Sequence, residues 1–76
     1  MLLSELSSGQ RAQILDMAAL TRPIRRKLMC MGLLPHSEIE FLRQAPMGDP
    51  LQIRASGITL AVQRSLASQI QVEVVE

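Results

Sequence analysis

Thr21-Arg22-Pro23-Ile24-Arg25-Arg26-Lys27-Leu28-Met29-Cys30-Met31-Gly32-Leu33-Leu34-Pro35 is the stretch from which the architecture of this chain is read. Leu20, Ile24, Leu28 and Met31 recur at helical spacing and mark a core-facing stripe. Thr21 has the chemistry of an N-cap, and Pro23 is tolerated in the first turn because its missing N–H has no partner there anyway. Gly32 stands where a C′ residue must take positive φ. Leu33 then falls at C″, placed against Leu28 at C3, as in a Schellman stop, and Pro35 forbids continuation. The pattern predicts one helix over about residues 21–31.

On either side of this helix the period falls to two. Arg11 to Met17 reads as a first strand around Ile14 and Leu15, after a turn at Ser7-Ser8-Gly9, with Asp16 to Ala18 open between strand and connection. After the helix, Ser37 to Arg43 sets Ile39 and Phe41 against Glu38, Glu40 and Leu42. Ala45-Pro46-Met47-Gly48-Asp49-Pro50 has the composition of a loop. Leu51, Ile53 and Ala55 alternate with Gln52 and Arg54, and Gly57 marks a tight turn. Ile58, Leu60 and Val62 alternate in their turn, Arg64 to Ser68 has room for one helical turn, and Ile70 to Val75 reads as a last strand with Ile70, Val72 and Val74 inward. A flat sheet of five strands with one helix leaves a face uncovered, so the sheet is expected to bend on itself. The expected class is mainly β: a small SH3-like barrel of about five strands with one inserted α-helix, forming a single domain over residues 1–76.

Composition excludes more than it assigns. No apolar run approaches the roughly 20 residues that span a bilayer. The start MLLSELSSGQ lacks the basic and apolar regions of a signal peptide, and the single cysteine, Cys30, allows no internal disulfide, so a cytoplasmic setting is expected. Eight Lys and Arg against seven Asp and Glu give a net charge of +1, a weak balance for a nucleic-acid binder. There is no Trp or Tyr and one Phe, Phe41, so neither a polyproline groove nor a base-stacking platform can be built from aromatic rings. One His supports no catalytic triad, and neither GxxxxGK[ST] nor GxGxxG occurs. No enzyme is expected.

Met31-Gly32-Leu33-Leu34-Pro35, the alternating strand after it, the Ala45–Pro50 loop and the Gly57-turn strand together resemble the FeoA domain. Leu6 with Gly9, and Leu60-Ala61, Ala67, Ile70 and Val72, extend the resemblance over nearly the whole chain. One position departs: His36 stands where the family usually has Gly, and strain is expected if that turn needs positive φ. The resemblance implies an SH3-like fold and a cytoplasmic accessory of FeoB, the membrane protein that moves ferrous iron and carries a GTPase-like domain on its cytosolic side. FeoA-like barrels also close metal-dependent repressors, but no DNA-binding domain precedes this one, which favours the stand-alone accessory. The alternatives are a metal-responsive regulator, a nucleic-acid-binding small barrel, and a self-associating module.

The candidate partner-binding residues follow. Arg22, Arg25, Arg26 and Met29 point away from the helix's apolar stripe, and read either as a solvated face or as a docking surface in which arginines steer an adaptable Met contact. Leu28, Leu33 and Leu34 read as core or as the border of a groove. Met47, Gly48 and Asp49 read as a turn or as a recognition loop. Gly32, Pro35, Pro46, Pro50 and Gly57 are assigned structural roles in turns. No metal or cofactor is expected. Cys30, His36 and Glu38 lie near one another in sequence but are too few and too scattered for a strong site, with Cys30 expected as a packed side chain and His36 as an exposed one; a weakly bound ion stays open.

Overall fold

The computed structural model describes residues 1–75. After a 3₁₀ turn at Leu3–Glu5, the chain runs through β1 (Arg11–Asp16), α1 (Arg22–Cys30), β2 (Glu38–Gln44), β3 (Leu51–Ala55), β4 (Ile58–Val62), α2 (Arg64–Ala67) and β5 (Gln71–Val75). The five strands form one antiparallel sheet in the order β4-β3-β2-β1-β5, so the first and last strands are neighbours and β4 is left at an edge. This is the SH3-like arrangement the alternation predicts, with α1 inserted between β1 and β2.

Helix α1 stops as its sequence requires. Gly32 has φ +102°; its N–H donates to the Met29 carbonyl at 3.1 Å, and the Leu33 N–H reaches back to the Leu28 carbonyl at 3.0 Å. These are the two bonds of a Schellman motif, and they satisfy carbonyls that a helix end would otherwise leave unpaired. A Cβ at Gly32 would lie 3.4 Å from the Ser56 Oγ, so the helix stop packs against the β3–β4 turn. Thr21 occupies the N-cap position with extended backbone, but its side chain makes no capping hydrogen bond, contrary to the expectation from residue type.

The strands follow their alternation wherever both neighbours cover them. Ile39 and Phe41 of β2, Leu51, Ile53 and Ala55 of β3, Ala12 and Ile14 of β1, and Val72 of β5 fill one core with Leu28 and Leu33. Burying one such aliphatic or aromatic side chain contributes on the order of 1.5–3 kcal/mol. Leu42 falls at a register shift between Phe41 and Arg43, a bulge that bends β2 and so curls the sheet. Ser56 and Gly57, both at positive φ, make the two-residue turn joining β3 to β4, with Ala55 opposite Ile58.

Two features depart from the plain sequence pattern. Ile58, which alternates with Leu60 and Val62 and so shares their face, is 56% exposed, because it stands at the hairpin end of an edge strand. The opening residues also hold more structure than a turn at Ser7–Gly9. Glu5 Oε1 accepts from the Leu2 N–H, and the Leu3 N–H donates to the Ile70 carbonyl at 2.9 Å, which buries Leu3 and Leu6 in the core.

Candidate functional site

Arg22, Arg25 and Arg26 occupy the first turns of α1, and Met29 and Cys30 its last. Their spacing turns them away from the stripe of Ile24, Leu28 and Met31, which packs toward the sheet. The five side chains line one open depression of about 410 Å³ on the outside of the helix. Among the described residues none of the three guanidinium groups makes a salt bridge or a side-chain hydrogen bond; the one ion pair of the fold joins Arg54 to Glu40 across β2 and β3 at 3.9 Å. No acidic residue sits in the first turn of α1. Arg22, the first helical residue, therefore stands against the positive end of the helix dipole, which costs some stability in the isolated chain. With Arg25 and Arg26, one turn on, it makes a positive face that favours an anionic neighbour.

The other candidates separate. Leu28, 5% exposed, and Leu33, fully buried, are core residues, and of the two Leu28 also lines a depression on the inner side of α1. Leu34 is 46% exposed beside them. Met47 is 92% exposed at the tip of the β2–β3 loop. Asp49 and Gly48, in the same loop, are engaged internally: the Asp49 carboxylate accepts from the Arg64 N–H at 2.9 Å, and the Gly48 carbonyl from the Arg64 Nε at 3.2 Å. The loop thus leans on α2, and no hydrogen bond or ion pair among the described residues joins it to α1. Sequence reasoning did not connect Asp49 with Arg64; the one signal available was an Asp in a loop and a short helix start fifteen positions on.

Cys30 is exposed rather than packed, because it closes the outer face of α1. His36 is exposed, with φ +71°, so the strain foreseen at this position is present. Its N–H donates to the Ile14 carbonyl at 2.7 Å, and its carbonyl accepts from the Gln13 side chain, which pins the turn to β1. Among the described residues no three His, Cys, Asp or Glu side chains come together in a way that could hold a metal ion. Pro35 lies in the turn after the Schellman stop, and Pro46 and Pro50 flank Met47–Asp49 in the β2–β3 loop. No helix of the described residues is long and apolar enough to cross a membrane.

A second depression, of about 280 Å³, lies on the inner side of α1. Ile24 and Leu28 of the helix, Met31 at its C-cap, and Ala61, Val62 and Leu66 across from them give it an apolar lining, with Lys27 and Gln63 as its polar members.

Residues 1–74 match the family model of the FeoA domain. The fold is similar to the solution structure of FeoA from Chlorobium tepidum, with 37% identity and a TM-score of 0.94 over 100% of this chain and 71% of that one. It is likewise similar to iron(II) transport protein A from Clostridium thermocellum, at 35% identity and a TM-score of 0.92 over 99% of this chain and 46% of that one. The zinc-complexed crystal structure of FeoA from Stenotrophomonas maltophilia matches at 26% identity and a TM-score of 0.81, over 96% of this chain and 89% of that one; that protein is described as an SH3 domain protein and a candidate activating factor of bacterial ferrous iron transport.

Proposed function

The chain belongs to the FeoA family, and on that footing we propose that it is a non-catalytic accessory of ferrous iron uptake that docks on the cytosolic side of a FeoB-like transporter. The observation that carries this reading is the outer face of α1: Arg22, Arg25 and Arg26 around Met29, without side-chain partners among the described residues. Such a face suits an acidic partner surface, with the arginines steering encounter and Met29 adapting to apolar detail. Exposed Leu34 and Met47 extend the apolar surface available for contact. In this reading the protein works in the cytoplasm and is peripheral to the membrane through its partner. Any nucleotide hydrolysis belongs to that partner, since no phosphate cradle occurs in this sequence.

The test is an amide titration of ¹⁵N-labelled protein with the cytosolic domain of FeoB in its GDP and GTP-analogue states. Shifts confined to residues 22–35 and 47–50 are expected, and Arg25→Glu with Arg26→Glu is expected to weaken the association without lowering the melting temperature. Unchanged affinity in the double variant would refute the docking face. Absence of shifts in either nucleotide state would refute the cytosolic domain as its target.

A further inference from the structure

The two edges of the sheet are treated differently. Edge β5 is covered by the first residues of the chain: the Met1 amino group donates to the Val72 carbonyl, the Val72 N–H donates to the Met1 carbonyl, and the Leu3 N–H to Ile70. Strand β4 pairs with β3 on one side and, among the described residues, with no strand on the other, where Thr59 and Ala61 are exposed. The two-residue turn at Ser56-Gly57 sets the parity of the ladder. Ile58, Leu60 and Val62 direct their N–H and C=O groups to β3, while Thr59 and Ala61 direct theirs away from the sheet.

Exposed sheet edges are ordinarily protected by lysine, proline, a bulge or a covering element. Ile58-Thr59-Leu60-Ala61-Val62 lacks the first three: it carries no charge and no proline, and its register with β3 is unbroken, while α1 comes near it only across the depression at Ala61 and Val62. Its two ends are also complementary. At one end Ile58 projects into solvent on the face where its cross-strand neighbour Ala55 is buried. At the other end, Val62 borders the apolar depression formed with Ile24, Leu28, Met31 and Leu66.

We infer that β4 pairs antiparallel with β4 of a second copy of this chain, about a two-fold axis beside Leu60. In that register Thr59 of each copy faces Ala61 of the other, and every outward N–H and C=O of these residues finds a partner. Leu60 meets its own image at the close, non-hydrogen-bonded position. Ile58 of each copy lies opposite Val62 of the other, at the mouth of the depression, so the projecting residue fills the hollow twice by symmetry. No charges of like sign meet along the strand. Stable dimers remove about 800 Å² from each partner. One five-residue edge and one small hollow fall short of that, so the dimer is weak, reversible and concentration-dependent. The arginine face lies on the other side of α1 and stays free.

Sedimentation equilibrium of the full chain, combined with amide hydrogen exchange, tests this. The mass is expected to rise from monomer toward dimer with concentration, and protection of the Thr59 and Ala61 amides to rise with it. Ile58→Lys is expected to shift association to concentrations higher by about tenfold or more, with the melting temperature of the dilute protein unchanged. Thr59→Pro, which removes an outward N–H and none from the β3 ladder, is expected to act alike, whereas Arg25→Glu associates as the unaltered chain does. A chain that stays monomeric at every concentration overturns the inference. So does a dimer with unprotected Thr59 and Ala61 amides, or one indifferent to Ile58→Lys.

Discussion

The Asp49 carboxylate accepts a hydrogen bond from the backbone N–H of Arg64 at 2.9 Å, joining the β2–β3 loop to the first residue of α2. The Gln63 side chain, at the N-cap position of that helix, makes no capping bond, so Asp49 supplies from a distant loop what the local sequence lacks. Arg64 returns the contact through its Nε to the Gly48 carbonyl. The carboxylate also lies near the positive end of the short helix.

Asp49→Ala is therefore expected to destabilise the fold by about 1 kcal/mol, the usual effect of losing a capping side chain, and Asp49→Asn by much less. Urea unfolding of the two variants beside the parent chain checks this. Equal losses in both would show that the charge, not the acceptor, matters.

His36→Gly is expected to stabilise. A non-glycine residue held in the left-handed region costs about 1–2 kcal/mol, and the greater freedom of glycine in the unfolded chain returns part of the gain, leaving about 0.5–1 kcal/mol. The bonds at this turn run through the His36 backbone and survive the substitution. A raised thermal midpoint is the expected readout.

Leu33 and Leu34 are adjacent in sequence and opposite in burial. Truncating Leu33 to Ala leaves a core cavity and is expected to cost about 2–5 kcal/mol. Leu34→Ala is expected to change stability by less than about 0.5 kcal/mol. Comparing their denaturation midpoints, and then the affinity of Leu34→Ala for the FeoB cytosolic domain, separates packing from docking at this pair.

Arg22→Glu is expected to raise stability by about 0.3–1 kcal/mol, since it sets an anion on the first helical position of α1. The same change is expected to weaken partner association. A variant that melts higher and binds worse would identify the arginine face as retained for recognition at the expense of the helix.

Features governed by neighbours in sequence were legible in advance. The Schellman stop at Gly32 and Leu33 needs only the identities of a few successive residues, because its bonds close within one turn. The turn at Gly57 and the inward set of Leu51, Ile53 and Ala55 are of the same kind. The exposure of Ile58 was not legible: the period of two places it on the inner face, and its position on an unpartnered edge removes the cover that face would have. The arginine face of α1 could be drawn from helical spacing alone, while the burial of Leu28 and Leu33 beneath it depended on the sheet below.

By itself the sequence determined much of the local conformation: where the helix stops, which strands alternate, that Gly32 takes positive φ and Gly57 a tight turn, and the family resemblance those signals carry. Only the tertiary structure decided which strand stands at the edge, that Asp49 meets Arg64, that Leu3 enters the core, and that Cys30 faces outward. The division has a physical cause. Backbone torsions and turn bonds are set within a few residues, whereas strand order, register and burial follow from contacts between segments far apart in the chain, whose partners no local pattern names.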